Sequence, residues 1–342
     1  MKTKALVANT MAGGLIAVIN ITVAISVAAL MFSNTSAEFF AAGVTILLIG
    51  TVVAGLGGTL ASGFAGIIVA PRSGLAPIFA GQIAAVILAM KAAPPDAVLP
   101  TVIMTIMVTS LFTGLFLWGL GQLKLGSLVR YIPYPVMGGF FAGIGLIFVE
   151  GGIAVATGVP VGLDTLARFT SPNVYLLALP AIVFAVLLYS LQRKIDHWSV
   201  FPSILLISIT MFYAVFFLLG QTSAGASATG WLPTIAHTSV TIPAFDFTSL
   251  GLVSWSVIMQ QAGSILVVAI LCAIMLLLDV SGIEIISVRD QEPDRELKVA
   301  GATNIIKSVA GGSPAVHTAS DTGFNNKLGG DRRLMGVVDA GA

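Results

Sequence analysis

The sequence has very little charge for its length. Only 9% of its 342 residues are Asp, Glu, Lys or Arg, whereas a soluble domain typically carries about 25%. Hydrophobic residues make up 57% of the chain, and the mean hydropathy is +1.01. These values exclude an ordinary soluble domain and predict an integral membrane protein with many spans. The net charge of +1 gives no indication of a nucleic-acid partner.

The chain also lacks the residue patterns of enzymes and metal sites. Its one cysteine, Cys272, lies in an apolar run, so no disulfide can form within the chain. The three histidines, His197, His237 and His317, are far apart, and neither a CxxC nor an HExxH motif is present. No pairing of a nucleophile with a base is visible. We therefore expect no enzymatic activity, no cofactor and no bound metal.

Long apolar runs account for most of the sequence. A helix needs about 20 apolar residues to cross a bilayer. The runs predict spans at 7–31, 39–59, 62–90, 98–123, 132–157, 173–192, 199–220, 250–288, 297–310 and 313–327. Residues 334–342 resemble the start of another span, and 221–249 form a polar loop.

Basic residues indicate the orientation of these spans. Short cytoplasmic loops carry an excess of Lys and Arg. Alternation from a cytoplasmic N-terminus places most basic residues inside, and the loop 221–249, which has none, outside. We expect a multi-pass protein with a cytoplasmic N-terminus, in a bacterial inner (plasma) membrane.

The third span is interrupted by residues that break a helix. Pro71, Arg72, Ser73, Gly74 and Pro77 fall between apolar segments. Proline removes a backbone donor, and an arginine in hydrocarbon is usually tolerated only beside a cavity or a partner. The pattern predicts an extended segment at 66–70, a break at 71–74 and a half-helix at 75–90. Discontinuous helices of this kind build midplane sites in secondary transporters, although a loop joining two complete helices is the alternative.

A second interruption lies at 310–321, in the third span after the long loop. Interrupted segments in corresponding halves indicate a binding site between inverted repeats. Two half-helix N-termini facing one cavity would favour an anion, and Arg72 would add a positive charge. The predicted ligand is a small anion, and its binding residues are Arg72, Ser73, Gly74, Pro314, Ala315, Val316 and His317. For His317, a packing role is the alternative.

Intramembrane acids are candidates for ion or proton coupling, or for charge pairing. Asp279 is the best placed for coupling to H+ or Na+. Glu150 is a candidate proton acceptor or, alternatively, an interfacial residue. Arg72 has an alternative role as the partner of an acid, Asp321, Asp279 or Glu284. A pair between Arg72 and Asp321 would hold the two half-helices together and would weaken the argument for an anion.

Four short stretches of the sequence resemble motifs of a known family. Residues 131–145 (YIPYPVMGGFFAGIG) resemble the signature "IPYPVVSGFLAGIG", and Asp294–Leu297, Gly301–Asn304 and Gly311–Pro314 resemble "NREL…GxANxxxxxxGGxP". The chain is similar in these motifs to the sulfate permease (SulP, SLC26-type) anion transporters. It departs from them in having Asp321 where members often carry an arginine, Arg72 in segment 3, and Met275 in place of a segment 8 glutamate. Residues 277–284 (LLDVSGIE) resemble a divergent branch of the family.

The resemblance implies an all-α membrane protein with the UraA/SLC26-like fold, two inverted repeats of seven segments with half-helices in segments 3 and 10. Residues 1–220 would be the first repeat, with the core at 1–123 and the gate at 132–220. The loop 221–249 would be extracytoplasmic. Residues 250–342 would be an incomplete second repeat comprising segments 8–10 and the start of 11, so that about ten of fourteen segments are present in a C-terminally truncated chain without the STAS domain.

The function that this resemblance implies is secondary active transport of a small anion by elevator-type alternating access. Sulfate, bicarbonate or an organic anion would be the substrate, coupled to H+ or Na+. The expected surroundings are the lipid bilayer and either a homodimer or a complementing chain that carries the missing helices. The alternatives are a non-transporting fragment, one half of a split transporter and a nucleobase-type transporter.

Overall fold

The computed structural model describes residues 2–32, 35–64, 66–127, 134–162, 164–195, 200–218, 220, 225, 231, 247–287, 290–327 and 333–341. Helices account for most of these residues. They are α1 (Lys2–Met31), α2 (Ala37–Ala61), α3 (Ala76–Ala89), α4 (Pro95–Gln122), α5 (Tyr134–Thr157), α6 (Pro172–Lys194), α7 (Val200–Leu218), α8 (Trp255–Gln260), α9 (Ala262–Ser287), α10 (Pro293–Val309), α11 (Ala319–Lys327) and α12 (Arg333–Gly341). The strands are β1 (Val69–Pro71) and β2 (Ala315–His317).

The helices follow the apolar runs of the sequence, with one difference. Among the described residues, four helices are long and apolar enough to cross a membrane, namely α2, α4, α6 and α9 over most of their lengths. The predicted span 250–288 is not one helix, because a 3-10 turn (Phe247–Leu252) and α8 precede α9. Residues 131–133 of the family motif, and most of the loop 221–249, lie outside the described residues.

One compact group of helices surrounds the two strands. Its apolar core joins α1, α3, α4 and α9, with Ala28, Val86, Leu117 and Leu276 fully buried. Helices α4 and α10 are in backbone contact, because a Cβ atom added at Gly301 would lie 2.6 Å from the backbone nitrogen of Trp118. In a bilayer, no hydrophobic force drives helices together, and small residues stabilise their association by allowing the backbones to pack closely.

Helices α5, α6 and α7 form a second group with large apolar side chains on the outside. Leu146, Val186, Leu206 and Phe217 are all more than half exposed. Lipid tails are as apolar as these side chains, so exposure to a bilayer carries no penalty. Contacts of α5 with α1 and α3 connect this group to the strand-containing group.

The two sequence breaks meet as a short antiparallel sheet. Val69 pairs with His317, Ala70 with Val316 and Pro71 with Ala315. Each strand is entered through a glycine with positive φ, Gly66 at 96° and Gly311 at 85°, a conformation in which a side chain is strained. The predicted break at 71–74 and half-helix at 75–90 are therefore confirmed as β1, a 3-10 turn at Ser73–Leu75 and α3.

Two buried asparagines hold the backbone of this sheet. Asn304 on α10 donates to the carbonyl of Ala315 at 2.6 Å and accepts from its N–H at 2.8 Å. Asn325 on α11 donates to the carbonyl of Gly66 at 2.7 Å. Non-helical backbone at membrane depth is tolerated where protein satisfies its polar groups, and these amides do so across the two breaks.

Candidate functional site

The first break places Arg72 next to an acid. One guanidinium nitrogen of Arg72 lies 2.7 Å from a carboxylate oxygen of Asp279 on α9, and the two side chains are only 16% and 15% exposed. The other Asp279 oxygen accepts the N–H of Ala319 at 3.3 Å. Asp279 therefore bridges the end of β1 and the first residue of α11. The partner of Arg72 is one of the three acids considered from the sequence, and it is not Asp321.

The start of α3 lies beside a cavity. The N–H groups of Ser73 and Gly74 are in the first turn, where no intrahelical acceptor is available. Ser73 lines a cavity of about 600 Å³ whose other walls come from α1, α2, α5, α6 and α7. A Cβ atom placed on Gly74 would lie 3.0 Å from the side chain of Met275 and 3.5 Å from that of Ile144. We call the cavity that Ser73 lines the interhelical cavity.

The second break is packed rather than open. Ala315, Val316 and His317 are fully buried, and Pro314 accepts the backbone N–H of Arg72 at 3.4 Å. These residues do not line the interhelical cavity. The structure thus brings both predicted segments together through their backbones, but only the first segment reaches the cavity.

His317 is directed away from the cavity and toward Glu296. Its Nε2 lies 2.6 Å from a Glu296 oxygen, and both side chains are buried. The same carboxylate accepts the Ser62 hydroxyl and the Gly63 N–H, both at 2.9 Å. Glu296 therefore connects His317 of β2 to the end of α2.

The remaining predicted acids form no ion pair with Arg72 in the described part of the chain. Glu150 is exposed on α5. Asp321 is half-buried and accepts a hydrogen bond from Ser320 at 3.3 Å. Glu284, near the end of α9, accepts the N–H of Gln291 at 2.9 Å. Of the four acids predicted for coupling or pairing, only Asp279 is bonded to Arg72.

Sequence inspection missed three polar groups that are wholly or partly buried in the structure. Glu296 lies in a run of charged residues that is typical of a solvated turn, yet it is 1% exposed. Asp339 on α12 accepts hydrogen bonds from Asn20 on α1 at 3.0 and 3.2 Å. Among the described residues, Lys307 is fully buried and its amine has no hydrogen-bond partner. The glutamate of the Asp294–Leu297 motif was the available signal for the first of these.

Comparison with known proteins identifies the family. The model of the sulfate permease family matches residues 6–342. The chain belongs to the sulfate permease family. It is an integral membrane protein, and as a member of a transporter family it is not an enzyme.

Two curated relatives of this sulfate permease family member have named substrates. The bicarbonate transporter BicA of Synechocystis sp. is 27% identical over 315 residues, which cover 87% of this chain and 50% of BicA. The vacuolar basic amino acid transporter VSB1 of Saccharomyces cerevisiae is 24% identical over 232 residues, covering 63% of this chain and 22% of VSB1. The chain thus spans half the length of BicA, or less in the case of VSB1.

Solved structures show the same fold. The transmembrane domain of BicA superposes with a TM-score of 0.67 and 21% identity over 98% of this chain and 80% of that one. The SLC26A9 structure gives a TM-score of 0.75 and 14% identity, covering 99% of this chain and 53% of that one. The predicted fold class, an all-α polytopic protein of the SLC26-like type, is confirmed.

Proposed function

We propose that this chain carries the substrate site of a secondary transporter for a small anion, and that the anion binds at the start of α3. One observation carries the proposal. Ser73, in the first turn of this half-helix, lines the interhelical cavity, and Arg72 is the adjacent residue. The N-terminus of a helix favours negative charge, so the polar end of the cavity is suited to an oxyanion or a carboxylate.

Asp279 gives this site an internal competitor for the substrate. Its carboxylate already forms an ion pair with Arg72 and accepts the N–H of Ala319. An anionic ligand would use the same two kinds of group, a guanidinium and a backbone N–H. A substrate anion could bind the guanidinium group of Arg72 only if Asp279 is neutralised or moves away. Uptake of H+ or Na+ by Asp279 would release Arg72, so coupling of the anion to a cation follows from this arrangement.

The walls of the cavity support alternating access. One wall is α1 with Ser73, in the group that contains the strands, and the opposite wall is α5, α6 and α7. Movement of the first group against the second would change access to Ser73, as an elevator mechanism requires. The antiparallel strands, each followed by a helix, support two inverted repeats with boundaries at 1–220 and 250–342.

Other parts of the proposal rest on the sequence. The distribution of Lys and Arg supports a cytoplasmic N-terminus. Assembly as a homodimer, or with a chain that supplies further gate helices, is the expected quaternary arrangement. A bacterial inner membrane is the expected location.

A cationic or zwitterionic substrate is the second candidate, and two observations favour it. Asp279 accepts a hydrogen bond from the first residue of α11, and Asp321 lies in the first turn of that helix, so this end of α11 carries two acids. The relative VSB1 is named as a basic amino acid transporter. A positively charged substrate would then bind to the acids, and Arg72 would limit their net charge.

The test is uptake by the purified full chain in proteoliposomes. Labelled sulfate, bicarbonate and L-arginine are compared for the parent, Arg72→Ala and Arg193→Ala. Arg193 is the matched control, because it is an exposed arginine on α6 bonded to Tyr189. Anion uptake that is lost in Arg72→Ala and kept in Arg193→Ala is the expected result.

Two outcomes contradict the assignment. Anion uptake that is undiminished in Arg72→Ala removes the proposed role of that residue. Uptake of L-arginine without uptake of either anion replaces the first candidate by the second.

A further inference from the structure

The interhelical cavity is much larger than an inorganic anion requires. Its volume is about 600 Å³, within the range of about 300–1,000 Å³ found for sites of drug-sized ligands. An oxyanion of four or five heavy atoms displaces two or three waters, or about 60–90 Å³ at roughly 30 Å³ per water. Bicarbonate or sulfate would therefore leave most of the cavity unused.

Most residues in the walls of the cavity are apolar, and its polar side chains are those of Ser73, Thr22 and Ser26. Three phenylalanines, Phe40, Phe148 and Phe184, line it together with Leu205. Apolar and aromatic linings with a few convergent polar groups are typical of sites for organic ligands.

The other hydroxyl groups in the lining have already used their donors. Thr22 donates to the carbonyl of Val18 at 2.8 Å, and Ser26 donates to the carbonyl of Thr22 at 2.9 Å. Each hydroxyl supplies one O–H donor, so these side chains offer no further donor to an anion. The negative group of a ligand is thereby directed to Ser73 and the start of α3, and the apolar remainder of the cavity has no role for a purely polar ligand.

We infer that the ligand of this cavity is an organic anion, with its acidic group at Ser73 and an apolar body between α1 and the α5–α7 group. This inference rests on the proposed function and names its substrate class. A body of several methylenes, or one aromatic ring, would contact the phenylalanines. Burial of each methylene contributes about 0.8 kcal/mol, so affinity should rise with the length of the body.

Alkanesulfonates are suitable probes, because they stay ionised and do not leak through a membrane as neutral acids. Binding of labelled methane-, butane- and hexanesulfonate to the purified full chain is measured beside uptake of sulfate and bicarbonate. Affinity should increase about two- to fourfold per added methylene, the upper value corresponding to complete burial.

Two glycines on α5 provide a cavity-filling variant and its control. Gly152 lines the cavity, and a Cβ atom added there meets nothing within 4 Å. Gly145 has equally free space but does not line the cavity. Gly152→Leu should abolish the gain in affinity with chain length, whereas Gly145→Leu should keep it.

The outcomes separate this inference from the function on which it rests. Equal affinity for the three sulfonates overturns the inference, and so does a gain with length that persists in Gly152→Leu, because the tail would then be dissolving in lipid or detergent. In both cases, uptake of sulfate or bicarbonate leaves the proposed function standing. A chain that binds none of the sulfonates and takes up neither inorganic anion overturns both.

Discussion

The pair of Arg72 and Asp279 predicts strong energetic coupling between two broken parts of the fold. The perturbations are Arg72→Met, Asp279→Asn and the double variant. Asp279→Asn removes the charge but retains an oxygen that can accept the N–H of Ala319, now at 3.3 Å. The cost of that substitution therefore reports chiefly the charge that Arg72 loses as its partner.

Removal of one member of a fully buried pair costs about 3–5 kcal/mol, because the other charge stays buried without compensation. The two side chains are 16% and 15% exposed, so partial screening lowers the expectation to about 2–4 kcal/mol for each single variant. The double variant leaves no isolated charge, and its cost should fall below the sum of the single costs by about 1–3 kcal/mol.

The assay is reversible unfolding of the purified full chain in mixed micelles, followed by circular dichroism for all four proteins. A control pair consists of Arg193→Met and Glu150→Gln, both exposed and on different helices, for which additivity is expected. Additive free energies for Arg72 and Asp279, like those of the control pair, would refute the conclusion that the two charges depend on each other.

Three further predictions concern the packing around the strands. Gly301→Ala should destabilise the chain in the same unfolding assay, because its Cβ would lie 2.6 Å from the Trp118 nitrogen, whereas Gly81→Ala meets nothing within 4 Å and should be neutral or slightly stabilising. Glu296→Leu should lower the free energy of unfolding by about 3 kcal/mol or more, since it leaves buried donors of His317 and Ser62 unpaired. A decrease below about 1 kcal/mol would contradict this. Asn304→Ala should increase hydrogen exchange of the Ala315 amide, which Asn304 accepts at 2.8 Å, and an unchanged rate would show that the strand is held by other contacts.

The breaks could be predicted from sequence because their signals are local. Glycine, proline and polar residues inside an apolar run oppose a continuous helix at their own positions, and both interruptions are strands followed by helices. The pairing of Val69 with His317, in contrast, could not be predicted from the sequence. Strands of three residues carry no periodicity long enough to define a register.

The partners of charged residues could not be predicted in the same way. Arg72 had three acids as candidates, and the choice of Asp279 depends on the rotation of α9 in the packed structure. Glu296 lies in a run of charged residues that favours a solvated turn when it is viewed alone. It is buried because Ser62, 234 positions away, and His317 converge on its carboxylate, and no local pattern encodes such a meeting.

The two half-helices differ in what their first turns can bind, although the chain is interrupted in a similar way at each. At α11 the N–H of Ala319 is bonded to Asp279 within the protein, and the strand before it is fully buried. At α3, Ser73 reaches the interhelical cavity. Two similar helix N-termini would have suggested an anion shared equally between them. The carboxylate of Asp279 instead occupies the position of an anion at α11 and is paired with Arg72. Under the proposed function, a substrate anion would therefore find one open helix terminus, at Ser73, and would have to displace the carboxylate of Asp279 to bind Arg72 as well.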